Sequence, residues 1–423
     1  MNAAQTAPTP SAVEPRTSPP AAAASQQAAR PAVRSSAYNL AIGYLRAFIT
    51  VMVVAHHAVL AYVGFAPAIP ATLTAKPRIW QAFPVVDSHQ WPAFGLFTGY
   101  NDTFFMSLMF FVSGLFVWKS LERKGAGHFL RDRALRLGIP FVVAAALLGP
   151  LAYFPTYLQT GARGLAGFWR QWFALGSWPS GPVWFIWVLL AFDCVAAALF
   201  GLVPSFGRAL GGFLSDLGKR PVAFFALLVA VSAAAYTPLE LIFNGFSWTE
   251  LGPFVFQTSR ILHYLAYFLI AAALGALGTE GGLFAREGKL ARRWPLWAVA
   301  SLLAFAIATV LFFAALGHPQ SPNLWGTIGG FGFAFCCAAA SFAFLAVFLR
   351  FVKQSRPAFD SLRDNAYGIY LLHYAFVSWL QFALLGANVP GFLKGVLVTA
   401  GAVLLSWGAT AALRRIPAVG RVL

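Results

Sequence analysis

Arg46, His56 and His57 stand inside the run YLRAFITVMVVAHH, Tyr44 to His57, whose other side chains are almost all apolar. An imidazole that titrates near neutrality can take and return a proton, and a guanidinium can hold an anion. Arg46 and His57 are eleven positions apart. At about 100° per residue that spacing returns to within ~20° of the starting direction on a helix, with a rise of roughly 16 Å. The two therefore share one face, whereas His56 points about a quarter-turn away and is expected to be a bystander. On one face and at two depths, an arginine and a histidine suit a lined cavity. The plainer alternative has Arg46 snorkelling to an interface and His57 packed against a neighbouring helix.

Further polar groups are set in apolar surroundings. FFVSGLFVWKSLERKGAGHFLRDRALRLGIPF ends an apolar helix at Ser113 and Gly114, then places Arg133 and Arg136 one turn apart before Pro140. By position they anchor a basic loop; together they also make a grip for a phosphorylated ligand. GPVWFIWVLLAFD carries Trp184 and Asp193, and YGIYLLHY carries Tyr370 and His373. Asp193 is a partner for a buried cation, Arg46 being at a compatible depth. His373, in the inner half of its segment, serves packing or lines the site, and His263 is a weaker candidate. Trp184, Ser113 or backbone groups could donate to an oxyanion.

The elements that must position these residues follow from composition. The chain of 423 residues is 59% hydrophobic and 10% charged, against about 25% charged in soluble domains. Too few charges remain to cover a water-facing surface, so lipid covers it. Apolar runs near the ~20 residues needed to cross the hydrocarbon lie at about 40–62, 103–120, 137–154, 182–202, 221–239, 258–278, 294–316, 325–349, 366–386 and 392–412. The expected fold class is all-α, a polytopic integral membrane protein of about ten transmembrane helices. With both termini cytoplasmic, most of the 30 basic residues fall in inside segments, as insertion topology requires. Lys76, Arg78, Arg163 and Arg170 alone fall in outside loops, and Arg46, Arg260 and Lys394 lie in or at the edges of spans. The net charge of +17 is thus a matter of topology, and no nucleic-acid partner is expected.

Residues 1–36, rich in Ala and Pro, are too poor in large apolar side chains to fold and are expected to form a disordered cytoplasmic tail. Residues 37–413 form the transmembrane domain, and 414–423 a short basic tail. Cys194, Cys336 and Cys337 sit within spans at no metal-ligand spacing, so no metal site and no disulfide framework is expected.

LRAFITVMVVAHH, FFVSGLFV, RALRLGIP, GPVWFIWVLL and YGIYLLH, in that order over roughly 38–412, resemble the membrane-bound acyltransferase-3 family. Features such as FLRDRALRLGIP look closest to its glucan succinyltransferase branch. The resemblance implies transfer of an acyl group, of acetyl or succinyl type, from cytoplasmic acyl-CoA to a hydroxyl of an extracytoplasmic carbohydrate or glycan, in a bacterial inner membrane. It implies a catalytic His57 with Arg46 as its partner, donor phosphates held near Arg133 and Arg136, acyl-CoA as co-substrate, and no permanently bound cofactor. Many relatives carry an acid just before the Phe-Phe-x-x-Ser-Gly element. Here Ser107, Leu108 and Met109 stand there, and the nearest acid is Asp102, near the outer end of span two.

Chemically, basic residues at the inner surface would hold the nucleotide head while the thioester arm runs past Arg46 to His57. His57 then acts as general base toward an acceptor hydroxyl or as transient acyl carrier, and the spacing does not separate these. A transporter would use the same buried Arg, His and Asp, but is expected to show repeated halves and broken helices. No repeat is present, and no Gly or Pro interrupts Arg46 to His57. The outside loop 63–101, with Trp80, Asp87, His89, Trp91 and Tyr100, could stack on sugar rings or form an interfacial aromatic belt.

Overall fold

In hydrocarbon a backbone N–H or C=O finds no water, so each apolar run must bond to itself as helix. The computed structural model describes residues 40–318 and 320–423, which lie in one unit, Asn39–Leu423. The expected tail 1–36 lies outside the described residues. Thirteen helices carry the fold: α1 (Leu40–Val59), α2 (Ala93–Gly114), α3 (Val117–Lys124), α4 (Ala126–Gln159), α5 (Leu165–Phe173), α6 (Trp184–Leu202), α7 (Phe206–Gly218), α8 (Pro221–Phe243), α9 (Ile261–Leu277), α10 (Trp294–Leu316), α11 (Pro322–Phe351), α12 (Pro357–Ala383) and α13 (Gly391–Leu413). One antiparallel hairpin, β1 (Trp248–Leu251) with β2 (Phe254–Gln257), links α8 to α9.

Among the described residues nine helices are long and apolar enough to cross a membrane, and they coincide with nine of the ten expected spans. The tenth expected span, 366–386, lies in α12, whose 27 residues extend about 40 Å. Its polar load, including Asp360, Arg363, Asp364, His373 and Gln381, is what sets it apart from the other nine. Three expected starts need correction. Span three begins at Ala126, not 137, so Arg133 and Arg136 lie within a helix rather than in a loop. Span two begins at Ala93, not 103, so Asp102 lies well inside a helix rather than near its end. Span nine begins at Pro357, not 366, so His373 lies near mid-helix rather than in an inner half. In each case polar residues inside a continuous helix resemble loop in the sequence.

α1 packs against α2, α12 and α13, and α2 packs against α9. The Ser-Gly element serves that second contact, because a Cβ on Gly114 would overlap the Phe268 carbonyl oxygen and one on Gly275 would overlap the Leu115 carbonyl oxygen. Backbone meets backbone there, as small residues permit between membrane helices.

α4 is the irregular member. Two π-helical turns, Ala134–Gly138 and Ala144–Leu148, interrupt it, and Pro140, Pro150 and Pro155 each withhold an N–H from a preceding carbonyl. Each orphaned carbonyl is met from another element. The Tyr367 hydroxyl donates to the carbonyl of Arg136 (2.6 Å), four residues before Pro140. Trp178 Nε1 donates to that of Ala145 (2.8 Å), which Pro150 would have met in the π register. Trp379 Nε1 donates to that of Leu151 (3.0 Å), four before Pro155. Tyr367 and Trp379 both belong to α12, so the prolines of one helix fix the placement of another.

The long connection 63–92 is fastened down over one end of the bundle. Lys394 and Asp87, both fully buried, pair at 2.7 Å. Gln159, Tyr153 and Thr156 of α4 bond the backbone at Val86, Gln81 and Pro84. Trp80 is 2% exposed and donates to the Leu73 carbonyl, so Trp80 and Asp87 are internal supports. Neither has a free face for a sugar; Trp91 keeps one, against Phe392, and Tyr100 lies in α2 with its hydroxyl bonded to Ser301.

If Trp379 serves the carbonyl that Pro155 abandons, Trp379→Phe costs about 1–2 kcal/mol, and the cost falls by more than half in a Pro155→Ala background, where a backbone N–H returns. Thermal unfolding of the four proteins in detergent checks the cycle; an equal loss in both backgrounds contradicts it.

Candidate active site

His57 lies in the last turn of α1, half-buried, and its Nδ1 is 2.8 Å from the Val53 carbonyl. A carbonyl can only accept, so Nδ1 carries the proton. That leaves Nε2 with the lone pair, and no hydrogen bond occupies it among the described residues. His373, wholly buried, is fixed the same way, its Nδ1 donating to the Tyr370 carbonyl (2.7 Å). Its Nε2 is therefore an acceptor, and it faces His57 Nδ1 at 3.4 Å. The His57 N–H is held between a carbonyl and a second imidazole, so the orientation of the ring follows from two helices at once.

The Tyr374 ring stands edge-on to His57, centroids 5.2 Å apart, and its hydroxyl reaches the Gln81 carbonyl at 3.3 Å. Gln381 Nε2 donates to the carbonyls of His57 (2.9 Å) and Ala58 (3.0 Å), two groups that the end of α1 leaves without helical partners. Tyr370, His373, Tyr374, Val377 and Gln381 follow helical spacing along α12, so the whole support comes from one stripe. Sequence reasoning missed Tyr374 and Gln381. The signal was there: a glutamine two turns beyond a histidine on one face of an apolar helix.

His56 faces the other way, stacked on Phe105 at 5.0 Å, with Nδ1 buried and unpaired. Arg46 is half-buried, one of its neighbours being the Thr50 hydroxyl bonded to its backbone carbonyl, and its guanidinium has no acid partner among the described residues. The buried acid expected at its depth, Asp193, pairs instead with Arg133: Nε to Oδ2 is 3.2 Å, and the guanidinium lies over the Phe129 ring at 5.0 Å. α4 and α6 pack together, which puts Arg133, not Arg46, beside that carboxylate. Arg136 is exposed. The two arginine heads expected to act together thus have different surroundings, one tied inward and one outward.

The other candidates are dispersed. The Tyr370 hydroxyl donates to the Pro182 carbonyl just ahead of α6, which ties the histidine helix to that region. Trp184 is buried against Phe110, Tyr264 and Trp248, and none of its ring contacts is with His57. Ser113 is half-buried. Asp102 binds Arg260 through Nη2 at 2.6 Å, and His263 bonds Ser107 at 2.9 Å, so neither supports His57 directly. His57 and His373, which the sequence pattern sets at different depths, are brought into contact by the fold.

A bundle of helices long and apolar enough to cross a membrane, with two imidazoles in contact and an unpaired ring nitrogen on one of them, has the groups that a proton transfer would use. The acyltransferase-3 model, described as an acyltransferase domain, matches residues 39–411, and the chain belongs to that family: it is a membrane acyltransferase. No curated protein and no solved structure matches it.

The Arg133–Asp193 pair is asymmetric, the side chains being 25% and 0% exposed. Arg133→Gln strands a carboxylate in the apolar interior and is expected to cost about 3 kcal/mol. Asp193→Asn leaves a guanidinium that can reach outward, costing roughly 1 kcal/mol. Unfolding temperatures of the two variants in one detergent decide it, and equal losses would contradict the asymmetry.

Proposed function

We propose that the chain is an acyl-CoA-dependent O-acyltransferase of the bacterial inner membrane. It moves an acyl group of acetyl or succinyl type to a hydroxyl of an extracytoplasmic carbohydrate or glycan. The observation that carries this is the state of His57: Nδ1–H anchored by Val53 and His373, and Nε2 unpaired. An imidazole so fixed is ready to accept a proton without turning.

In the reaction, His57 Nε2 takes the acceptor's hydroxyl proton while the hydroxyl oxygen attacks the thioester carbonyl. The tetrahedral intermediate collapses, the carbon–sulfur bond breaks, and the proton on Nε2 goes to the departing CoA thiolate. As Nε2 gains its proton, the imidazolium's Nδ1–H bonds to Val53 and His373 strengthen. His373 is a positioning residue, and Arg46, on the same face and without a carboxylate, is free for the negative charge of the donor. Arg136, exposed at the turn before Pro140, is suited to the nucleotide phosphates. Arg133, committed to Asp193, supports that turn.

The test is release of CoA from acetyl-CoA or succinyl-CoA with a glucan acceptor, on protein purified in detergent. His57→Ala is expected to lose at least about 10³-fold in kcat, within the range general-base catalysis supplies. His318→Ala, in an exposed loop, should match wild type. His373→Gln is expected to lower kcat roughly tenfold with acyl-CoA KM unchanged. If His57→Ala turns over normally, the site is wrong; substrate flux across vesicles without thioester cleavage would point to a transporter. Acid-quenched single turnovers without acceptor separate base from carrier, because label on the chain identifies an acyl-histidine.

Arg136→Ala is expected to raise KM for acyl-CoA about tenfold, the loss of one charge-assisted contact, while leaving KM for the 3′-dephospho thioester nearly unchanged. An identical shift for both donors removes Arg136 from phosphate binding.

A further inference from the structure

Buried polar atoms in a folded chain have partners, and the exceptions call for an explanation. One group of exceptions lies between α2, α8 and the start of α9. Arg260 is 4% exposed, pairs with Asp102 at 2.6 Å, and lies over the Phe333 ring at 4.5 Å, yet its Nε–H is buried and unpaired. The Tyr236 hydroxyl interacts with Arg260 on one side and Glu240 on the other. Glu240 Oε2 is buried without a partner, against Gly330, where a Cβ would stand 3.0 Å away. Beside Asp102, Asn101 is 0% exposed and both atoms of its amide are unpaired. Ser259, next to Arg260 and also 0% exposed, has an unpaired hydroxyl.

The row continues toward the catalytic histidine. Asn101 is one helical turn before Phe105, whose ring stacks on His56 at 5.0 Å. His56 Nδ1 is buried and unpaired, and its ring is 5.3 Å from that of His57. Asp102 opens the other side, its side chain being 41% exposed.

The unpaired atoms are both donors (Arg260 Nε, Asn101 Nδ2, Ser259 Oγ) and acceptors (Asn101 Oδ1, Glu240 Oε2). A simple anion would meet two carboxylates, and a simple cation would meet the guanidinium. A ligand that gives and takes at several points is a polyol, since each hydroxyl supplies one donor and two acceptor sites. Tyr236 and Phe333, rings tilted against each other with centroids 4.4 Å apart, add the apolar surface that a sugar ring's C–H face covers. We infer that Asn101, Arg260 and Glu240 form a binding subsite for a carbohydrate acceptor, which presents its hydroxyl to His57 past His56. This rests on the transferase reading above and adds to it where the acceptor binds.

The probe is laminariheptaose, a linear glucose oligomer. Asn101→Leu removes two stranded polar atoms without removing bulk, so it is expected to unfold at the same temperature or higher. It should nevertheless raise KM for the saccharide at least tenfold, with KM for acyl-CoA unchanged. Glu240→Gln, which keeps shape and loses charge, should raise saccharide KM severalfold. Unchanged saccharide KM in both variants, or equal rises for donor and acceptor, overturns the subsite. Direct calorimetric titration separates the two claims. His57→Ala should bind the saccharide as wild type does, and Asn101→Leu at least tenfold more weakly. A wild-type protein that binds no saccharide overturns the inference. Binding that Asn101→Leu loses, in a protein whose wild type transfers no acyl group, upholds the subsite and sinks the transferase reading.

Discussion

A backbone carbonyl without a donor is expensive where no water can reach it, and α4 has three such carbonyls because it has three prolines. Tyr367 and Trp379, which answer two of them, sit twelve residues apart on α12, and His373 lies midway between. The repair of one helix therefore fixes the height and rotation of another along the segment that faces His57. Trp178 answers the third from the connection before α6. An irregular helix is stable here only with its neighbours in place, and those neighbours carry the site.

The same constraint reaches the histidine. α1 ends at Val59 with its last carbonyls unbonded by helix, and Gln381 takes two of them. His57 bonds its own Nδ1–H to the Val53 carbonyl one turn back inside α1. Backbone groups that the helix end would otherwise leave costly thus bind the supporting helix, and a carbonyl within the helix orients the imidazole. The support needs no acid. Where many relatives carry a carboxylate near the Ser-Gly element, this chain holds the Nδ1 proton with a carbonyl and a second, neutral imidazole, arrangements that involve no buried formal charge.

Helix placement was legible because a 3.6-residue period and a 20-residue apolar length are strong constraints, and because Arg46 and His57 share a face by arithmetic alone. The starts of α2, α4 and α12 were not legible. Asp102, Arg133 and Asp360 look like loop residues, and only the partners supplied by distant elements, Arg260 for Asp102, Asp193 for Arg133 and Tyr44 for Asp360, make them tolerable within helix. The contact of His57 with His373 was hidden for the same reason: shortening α12 put the two at different depths. Asp193 illustrates a separate limit. Depth points to Arg46 as its partner, because Arg133 falls in a basic loop by pattern, and the packing of α4 on α6, which no one-dimensional pattern encodes, supplies Arg133 instead.

The distribution of charge pairs bears on Arg46. Asp87 is consumed by Lys394, Asp102 by Arg260 and Asp193 by Arg133, so none of these three acids is open to Arg46. A half-buried guanidinium with no carboxylate is costly if it is only structural, because burial removes solvent and nothing returns the lost interaction. The cost is recovered in a protein whose working state brings an anion to that depth. The donor proposed here is polyanionic and long, with its phosphates far from the thioester that must meet His57. An arginine left unpaired roughly 16 Å along the same face is matched to donor charge that is present only when the substrate is, and so serves to bind and align the donor rather than to touch the reacting carbonyl.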